Sequence, residues 1–249
     1  MARQNGILKI EGTLENLTFY KTQDGNLVKT KSGVSSDRIA NDPNFQRTRE
    51  NGAEFGNAAT AGKLLRDALR NMMINASDNR VTSRITQVMT LIKNYDSNSI
   101  RGERNVGAGI VADDAKAQLK NLNFNSNAIM SAILHKPFTV NTTTGQISIT
   151  GLKPMDDIVY PESATNLTIK GAWLKIDFTA NTSELEYTNE VTLPINNTPS
   201  DVNLVPTAVP SGAGVNLFIL AIDFFQEVNN ILYSLKNGGY NTLSIVDVV

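Results

Sequence analysis

The chain has no cysteine among its 249 residues, one histidine, one tryptophan and no arginine after position 104. Without cysteine there is no disulfide framework, no thiolate nucleophile and no zinc–thiolate centre. The single histidine, His135, stands before Lys136-Pro137, where a turn or surface role is the simpler reading; a triad or an imidazole metal site would have to be built around it alone. Long hydrophobic runs are missing too. Residues 217–222 are the longest, far short of the ~20 apolar residues a spanning helix needs, so no membrane span is expected. Residues 1–6 lack the apolar core of a secretory signal peptide, which points to synthesis in the cytoplasm and leaves the final compartment open.

What is present is ordinary for a folded protein: 41% hydrophobic and 19% charged residues, in a length that suits one large domain or two smaller ones. The charge is unevenly placed. Residues 1–120 carry 18 Lys+Arg against 13 Asp+Glu, and residues 121–249 carry 5 against 11, so +5 and −6 give the net −1. Such a split suits head-to-tail contact between copies, or a basic N-terminal face meeting an anionic partner.

Period-two alternation with a turn at Asp24-Gly25 predicts a β-hairpin of two or three short strands over residues 6–31, then a loop over 31–36. A helix is expected from Asp42-Pro43, with Asp42 as cap and Pro43 in the first helical position. Phe45, Phe55, Leu65, Leu69 and Met72 fall at helical spacings along it. Gly52, Gly56, Ala59 and Gly62 form a stripe of small residues suited to close packing, and the same glycines also fit a helix break near Gly52 or Gly56. A second helix is expected after residue 79, with Val81, Ile85, Val88, Ile92 and Tyr95 on its buried face, and shorter helical pieces follow from Asp113 and near residues 125–134.

At Pro137 the period changes to two, and seven or eight strands fit the remaining residues. The fold class read from this is α+β: a β-hairpin and helical region over 1–136, then an immunoglobulin-like antiparallel β-sandwich over 137–249. Trp173, Ile176, Leu220 and Ile222 are core candidates, and a change of phase within residues 167–178 suggests a bulge near Gly171.

Motifs for chemistry are weak. The carboxylate pairs Asp113-Asp114 and Asp156-Asp157 suit a helix start and a turn. Gly107-Ala108-Gly109 lacks the strand and third glycine of a dinucleotide fingerprint, and Gly56 to Gly62-Lys63-Leu64 lacks both the spacing and the hydroxyl of a P-loop. No cofactor or metal is therefore expected. Arg66, Arg70, Arg80 and Arg84 lie on helices and could face phosphates, but acidic residues interleave with them, and arginine is also favoured at protein interfaces.

The segments Met1-Ala2-Arg3-Gln4-Asn5-Gly6-Ile7, Phe19-Tyr20-Lys21, Arg38-Ile39-Ala40-Asn41-Asp42-Pro43-Asn44-Phe45-Gln46-Arg47-Thr48-Arg49-Glu50-Asn51 and Glu54-Phe55-Gly56 resemble a family of uncharacterised proteins encoded in Bacteroidota genomes. The stretches Phe224-Phe225-Gln226-Glu227-Val228 and Tyr233-Ser234-Leu235-Lys236-Asn237 are similar to it as well. The resemblance implies an architecture of hairpin, helices and sandwich and a bacterial or phage origin, and it transfers no site residue.

The function expected is that of a non-enzymatic structural subunit that self-assembles into a particle, tube or filament of a phage-like kind, with itself as partner. Its candidate interface is Gly52, Gly56, Gly62, Arg66, Arg70, Arg80 and Arg84. The alternatives are an adhesive or carbohydrate-binding sandwich module, and a nucleic-acid-associated protein using the arginine-bearing helices.

Overall fold

The computed structural model describes residues 2–6, 8–30, 33–236 and 238–249. Ile7 of the expected hairpin and Lys31-Ser32 of the expected loop lie outside the described residues, as do Met1 and Asn237 of the segments carrying the family resemblance. The chain forms two compact units, Met1–Glu50 and Asn51–Val249.

In the first unit the strand signals yield an antiparallel sheet of four strands, β1 (Ala2–Arg3), β2 (Gly12–Leu14), β3 (Leu17–Thr22) and β4 (Gly25–Thr30), in the order β1-β4-β3-β2. Thr22 pairs with Gly25 across a two-residue loop, and Gly25 takes the positive φ that the turn requires. Helix α1 (Ser36–Asn41) starts where Ser35 Oγ accepts the Arg38 N–H at 3.2 Å. Asp42 then accepts the Asn44 N–H at 2.9 Å and begins a 3₁₀ turn, Pro43–Phe45, with Pro43 in the expected place. Arg49 donates to the carbonyl of Ile39, in the last turn of α1, at 2.8 Å and to that of Asp42, which also accepts the Phe45 N–H, at 3.0 Å. Helix α2 (Gln46–Ala68) runs unbroken through Gly52 and Gly56.

The second unit continues with α3 (Arg70–Met73), α4 (Val81–Lys93), α5 (Val106–Gly109), α6 (Asp113–Leu119) and α7 (Met130–Ile133). Beyond Pro137 come β5 (Thr139–Val140), β6 (Ile147–Leu152), the one-turn α8 (Pro154–Asp157), β7 (Asn166–Asp177), β8 (Thr182–Tyr187), β9 (Val191–Pro194), β10 (Ser200–Leu204), β11 (Val215–Val228), β12 (Ile231–Ser234) and β13 (Thr242–Val248). A six-stranded antiparallel sheet is ordered β12-β11-β7-β8, with β13 on β11 and β9 on β7; a smaller sheet is ordered β10-β6-β5. The fold is α+β with antiparallel sheets. The period change at Pro137 marks where strands replace helices, while the compact units part at Glu50/Asn51.

The large sheet is buried on both faces. On one, Ala172, Leu174, Ile176, Ile219, Leu243 and Ile245 meet Leu65, Leu69, Ile85, Met89, Ile92 and Leu119 of the helices. On the other, Leu167, Ile169, Trp173, Phe218, Leu220, Ile222 and Phe224 meet Ile147, Ile149, Val202 and Leu204 of the small sheet. This corrects the expected bulge near Gly171. β7 pairs with β11 in unbroken register from Asn166 to Ile176, and the change of apolar phase arises because alternate residues enter two different cores.

Two further expectations on the helices are corrected. The buried stripe of α4 is Val81, Ile85, Met89 and Ile92; Val88, at the same three-and-four spacings, is half-buried against that core, whereas Tyr95 lies past the end of the helix at Lys93 and is exposed. Phe55 is 58% exposed. Ten-residue steps from Phe45 to Phe55 to Leu65 turn a helix by ~1000°, leaving successive members about 80° apart, so they do not share a face.

Trp173 is buried, its ring centroid 5.4 Å from that of Phe218, and its indole N–H donates to Asn216 Oδ1 at 2.9 Å. Gly145 lies so close that a Cβ there would fall 2.3 Å from the indole. Trp173→Ala is expected to cost about 3–5 kcal/mol, as other buried aromatic truncations do, measured as a lower midpoint in urea.

Candidate functional site

Register sorts the N-terminal sheet into two unlike faces. Leu14, Leu17, Phe19 and Val28 share one with Ala2, Lys21, Asn26 and Thr30; Thr13, Thr18, Tyr20, Leu27, Lys29 and Arg3 lie on the other, where the Lys29 ammonium sits 5.4 Å from the Tyr20 ring centroid. A sheet of this pattern ordinarily buries its apolar face. Here no described residue of Met1–Glu50 is buried, and Leu14 and Leu17 are 65% and 41% exposed.

A second uncovered β-surface lies at the far end of β11. Beyond Phe225 this strand leaves β7 and pairs only with β12, forming a hairpin arm whose two-residue turn, Asn229-Asn230, has positive φ at both positions. Val228 is opposite Ile231 and Gln226 opposite Tyr233, so Val228, Ile231 and Tyr233 share one face. All three are exposed, Ile231 and Tyr233 by more than half.

Two of the carboxylates buried in the second unit, Glu54 and Asp96, hold backbone N–H groups, while buried Asp223 pairs with Lys170 at 2.6 Å. Glu54 of α2 is buried and accepts from Arg104 Nε at 2.8 Å and Nη2 at 2.9 Å, from the Gly102 N–H at 2.9 Å, and from Lys93. The neighbouring buried Asp96 accepts the backbone N–H groups of Asn98, Ser99 and Asn105. Asn57 Oδ1 accepts the Val106 N–H at 2.9 Å, so the chain from Asn94 to Val106 is fixed at several points. Arg104 beside Glu54, aided by Lys93 and opposed by burial, lowers the carboxyl from 4.5 to about 2. At Asp78, burial raises the carboxyl, but Arg84 and the N–H groups of Ser126 and Arg80 outweigh it, and the group stays well below the usual range.

The residues singled out in the sequence are dispersed by the structure. Gly52 and Gly56 lie one turn apart on an exposed stretch of α2, where an added Cβ would meet nothing. Gly62 is buried, and a Cβ there would come 3.1 Å from Ile85 Cγ2, so this glycine serves the contact between α2 and α4. Arg84 donates to Asp78 and to the carbonyls of Asn123 and Phe124. Arg66 is half-buried, whereas Arg70 and Arg80 are exposed. The uncovered surfaces were missed because β-strand pairing, which the sequence does not print, decides which of Leu14, Leu17, Phe19, Val28 and Val228, Ile231, Tyr233 share a face.

A surface concavity of about 680 Å³ lies where α7 meets β13, lined in part by Asn123, Ser131, His135, Lys136 and Ser244. His135 sits on its exposed rim, and the Lys136 ammonium is 3.5 Å from Asp157. Among the described residues no group of three or more His, Asp or Glu is placed to hold a metal ion, and no helix is long and apolar enough to cross a membrane. No protein-family model, curated protein or solved structure matches this chain.

Glu54→Ala leaves Lys93 and Arg104 without their buried counter-charge and is expected to cost about 3–5 kcal/mol. Because the Glu54 carboxyl is held below its unfolded value, its contribution is fully present above pH 4.5 and is lost as pH falls toward 2. Urea midpoints taken from pH 7 to pH 2.5 should therefore fall less steeply below pH 4.5 in Glu54→Gln than in the parent.

Proposed function

We propose that this chain is a non-enzymatic structural subunit that associates with further copies of itself into a larger particle, tube or filament of a phage-like kind. The observation that carries this reading is the N-terminal sheet: four strands, one face of which groups Leu14, Leu17, Phe19 and Val28 with Lys21 at its edge, and no buried residue among those described. A sheet needs a packed apolar face for independent stability. An uncovered face of this kind marks an interaction site, and a second copy supplies a cover in a fixed stoichiometry.

The opposite charges of residues 1–120 and 121–249 support contact between unlike ends of two copies. We read residues 137–249 as an immunoglobulin-like sandwich whose larger sheet carries an added helical layer, a rigid body suited to a repeating unit. The resemblance to Bacteroidota proteins fits a subunit of bacterial or phage origin. An adhesive module finds less support, since the outward positions of the small sheet, Thr139, Ser148, Thr150 and Asn203, offer hydroxyl and amide groups without an aromatic platform. A nucleic-acid reading is weakened by Arg84, whose guanidinium is engaged by Asp78 and two carbonyls.

Sedimentation velocity on the intact chain tests the proposal, which a strict monomer at high concentration would end. Leu14→Lys with Leu17→Lys, both at exposed positions, should give a folded monomer by far-UV circular dichroism. Assembly of the parent should also weaken between 0.1 M and 1 M salt, as the Debye length shortens from ~10 to ~3 Å. It should survive nuclease, because the contact is between proteins.

A further inference from the structure

One buried carboxylate of the second unit is left half satisfied by its surroundings. Glu54 accepts from Arg104, Lys93 and the Gly102 N–H, and Asp96 accepts three backbone N–H groups. Asp223 of β11 is 2% exposed; its Oδ2 lies 2.6 Å from Lys170 Nζ, and its Oδ1 is buried with no hydrogen-bond partner among the described residues. A buried oxygen in that position bears the full cost of its lost hydration and calls for an explanation. The pairing of β7 with β11 sets Lys170 opposite Ala221 and Asp223 opposite Thr168, so the two side chains are diagonal neighbours on the face covered by the helices. Strand register therefore holds an amine against a carboxyl group inside the core.

We propose that Lys170 and Asp223 join covalently, through an isopeptide bond between Lys170 Nζ and Asp223 Cγ. A proton passes from the ammonium to the carboxylate within the contact, leaving an amine against a carboxylic acid, both uncharged. The amine lone pair forms the N–C bond at Cγ, the Cγ–Oδ1 bond breaks, and Oδ1 leaves as water with two of the three ammonium protons. The third proton stays as the amide N–H, and nothing is oxidised or reduced. Proximity favours the step, since well-oriented groups within one molecule react at effective concentrations on the order of 10⁵–10⁸ M. Burial favours it as well: two charges stripped of hydration give way to a neutral amide, and the oxygen that departs is the one without a partner. The Lys170 side chain keeps 21% of its exposure, which gives the released water a way out. The bond closes residues 170–223 into a loop across the two central strands. It constrains the unfolded chain as a disulfide does, in a protein with no cysteine to form one.

Intact-mass spectrometry of the purified full-length chain, denatured in acid, reads the bond directly. The main species should be lighter than the mass of its sequence by one water molecule, whether or not Met1 is removed. Trypsin, which does not cut after an acylated lysine, should leave Lys170 uncut, cut at Lys175, and give one branched peptide holding both Lys170 and Asp223. Lys170→Met and Asp223→Ala should each show the full mass of their own sequences, a reading that does not require either variant to be folded when it is measured. A parent at its full sequence mass would overturn the bond and leave an ordinary buried ion pair. A lost water that persists in Lys170→Met, as from cyclisation at Asp24-Gly25, would overturn it as well.

Discussion

Pairing of β7 with β11 is the constraint on which the second unit depends. Their register runs without interruption from Val215–Ile176 to Phe225–Asn166, and it decides which side chains enter which core. A slip of one residue would turn Trp173 and Phe218 toward the helices and Leu174 and Ile219 toward the small sheet. Everything else in the unit is attached to this pair: β8 and β9 along β7, β12 and β13 along β11, helices on one face and the small sheet on the other. Asn241 strengthens one end, accepting the Phe224 N–H and donating to the carbonyls of Asn75 and Leu235, so a single buried amide joins strand, loop and helical segment.

The arginines concentrated before position 105 acquire a structural explanation in part. Arg38 pairs with Asp42 and lies over the Phe45 ring, Arg49 holds two carbonyls, Arg84 bridges Asp78 and the Asn123–Phe124 carbonyls, and Arg104 clamps Glu54. Arg84 and Arg104 each join loops through two of their nitrogens, which a planar guanidinium does better than an ammonium. The strand-rich half satisfies its backbone through ladders and has less need of such clamps. A basic count in sequence thus overstates the basic surface.

Much of the secondary structure was legible because its signals are local. Asp42-Pro43 announces a helical start within two residues, and β11 was marked by its own run of apolar residues. The continuous sheet pairing was not. Residues 167–178 look out of phase only if one face is assumed to be solvent, and the helical layer that buries the other face comes from residues 58–119. The Glu54 cluster was hidden for a related reason: its partners Lys93 and Arg104 are 39 and 50 residues away, and among Glu50, Asp67 and Asp78 nothing local distinguishes the one carboxylate that is buried with two cations. Gly62 was legible as a close-packing site, whereas Gly52 and Gly56, read as part of the same small-residue stripe, have open space beside them. Spacing gives the face of a helix, and what lies opposite that face must come from the rest of the chain.

The length of β11 has a mechanical consequence. The strand is both the axis of the sheet and one side of the arm, with no joint between them. Its hydrogen bonds to β7 lie across the strand direction. A pull on the tip at Asn229 along that direction therefore loads the registered pairs together, in shear, instead of opening them one after another. Tension arriving at the arm is spread over the central sheet.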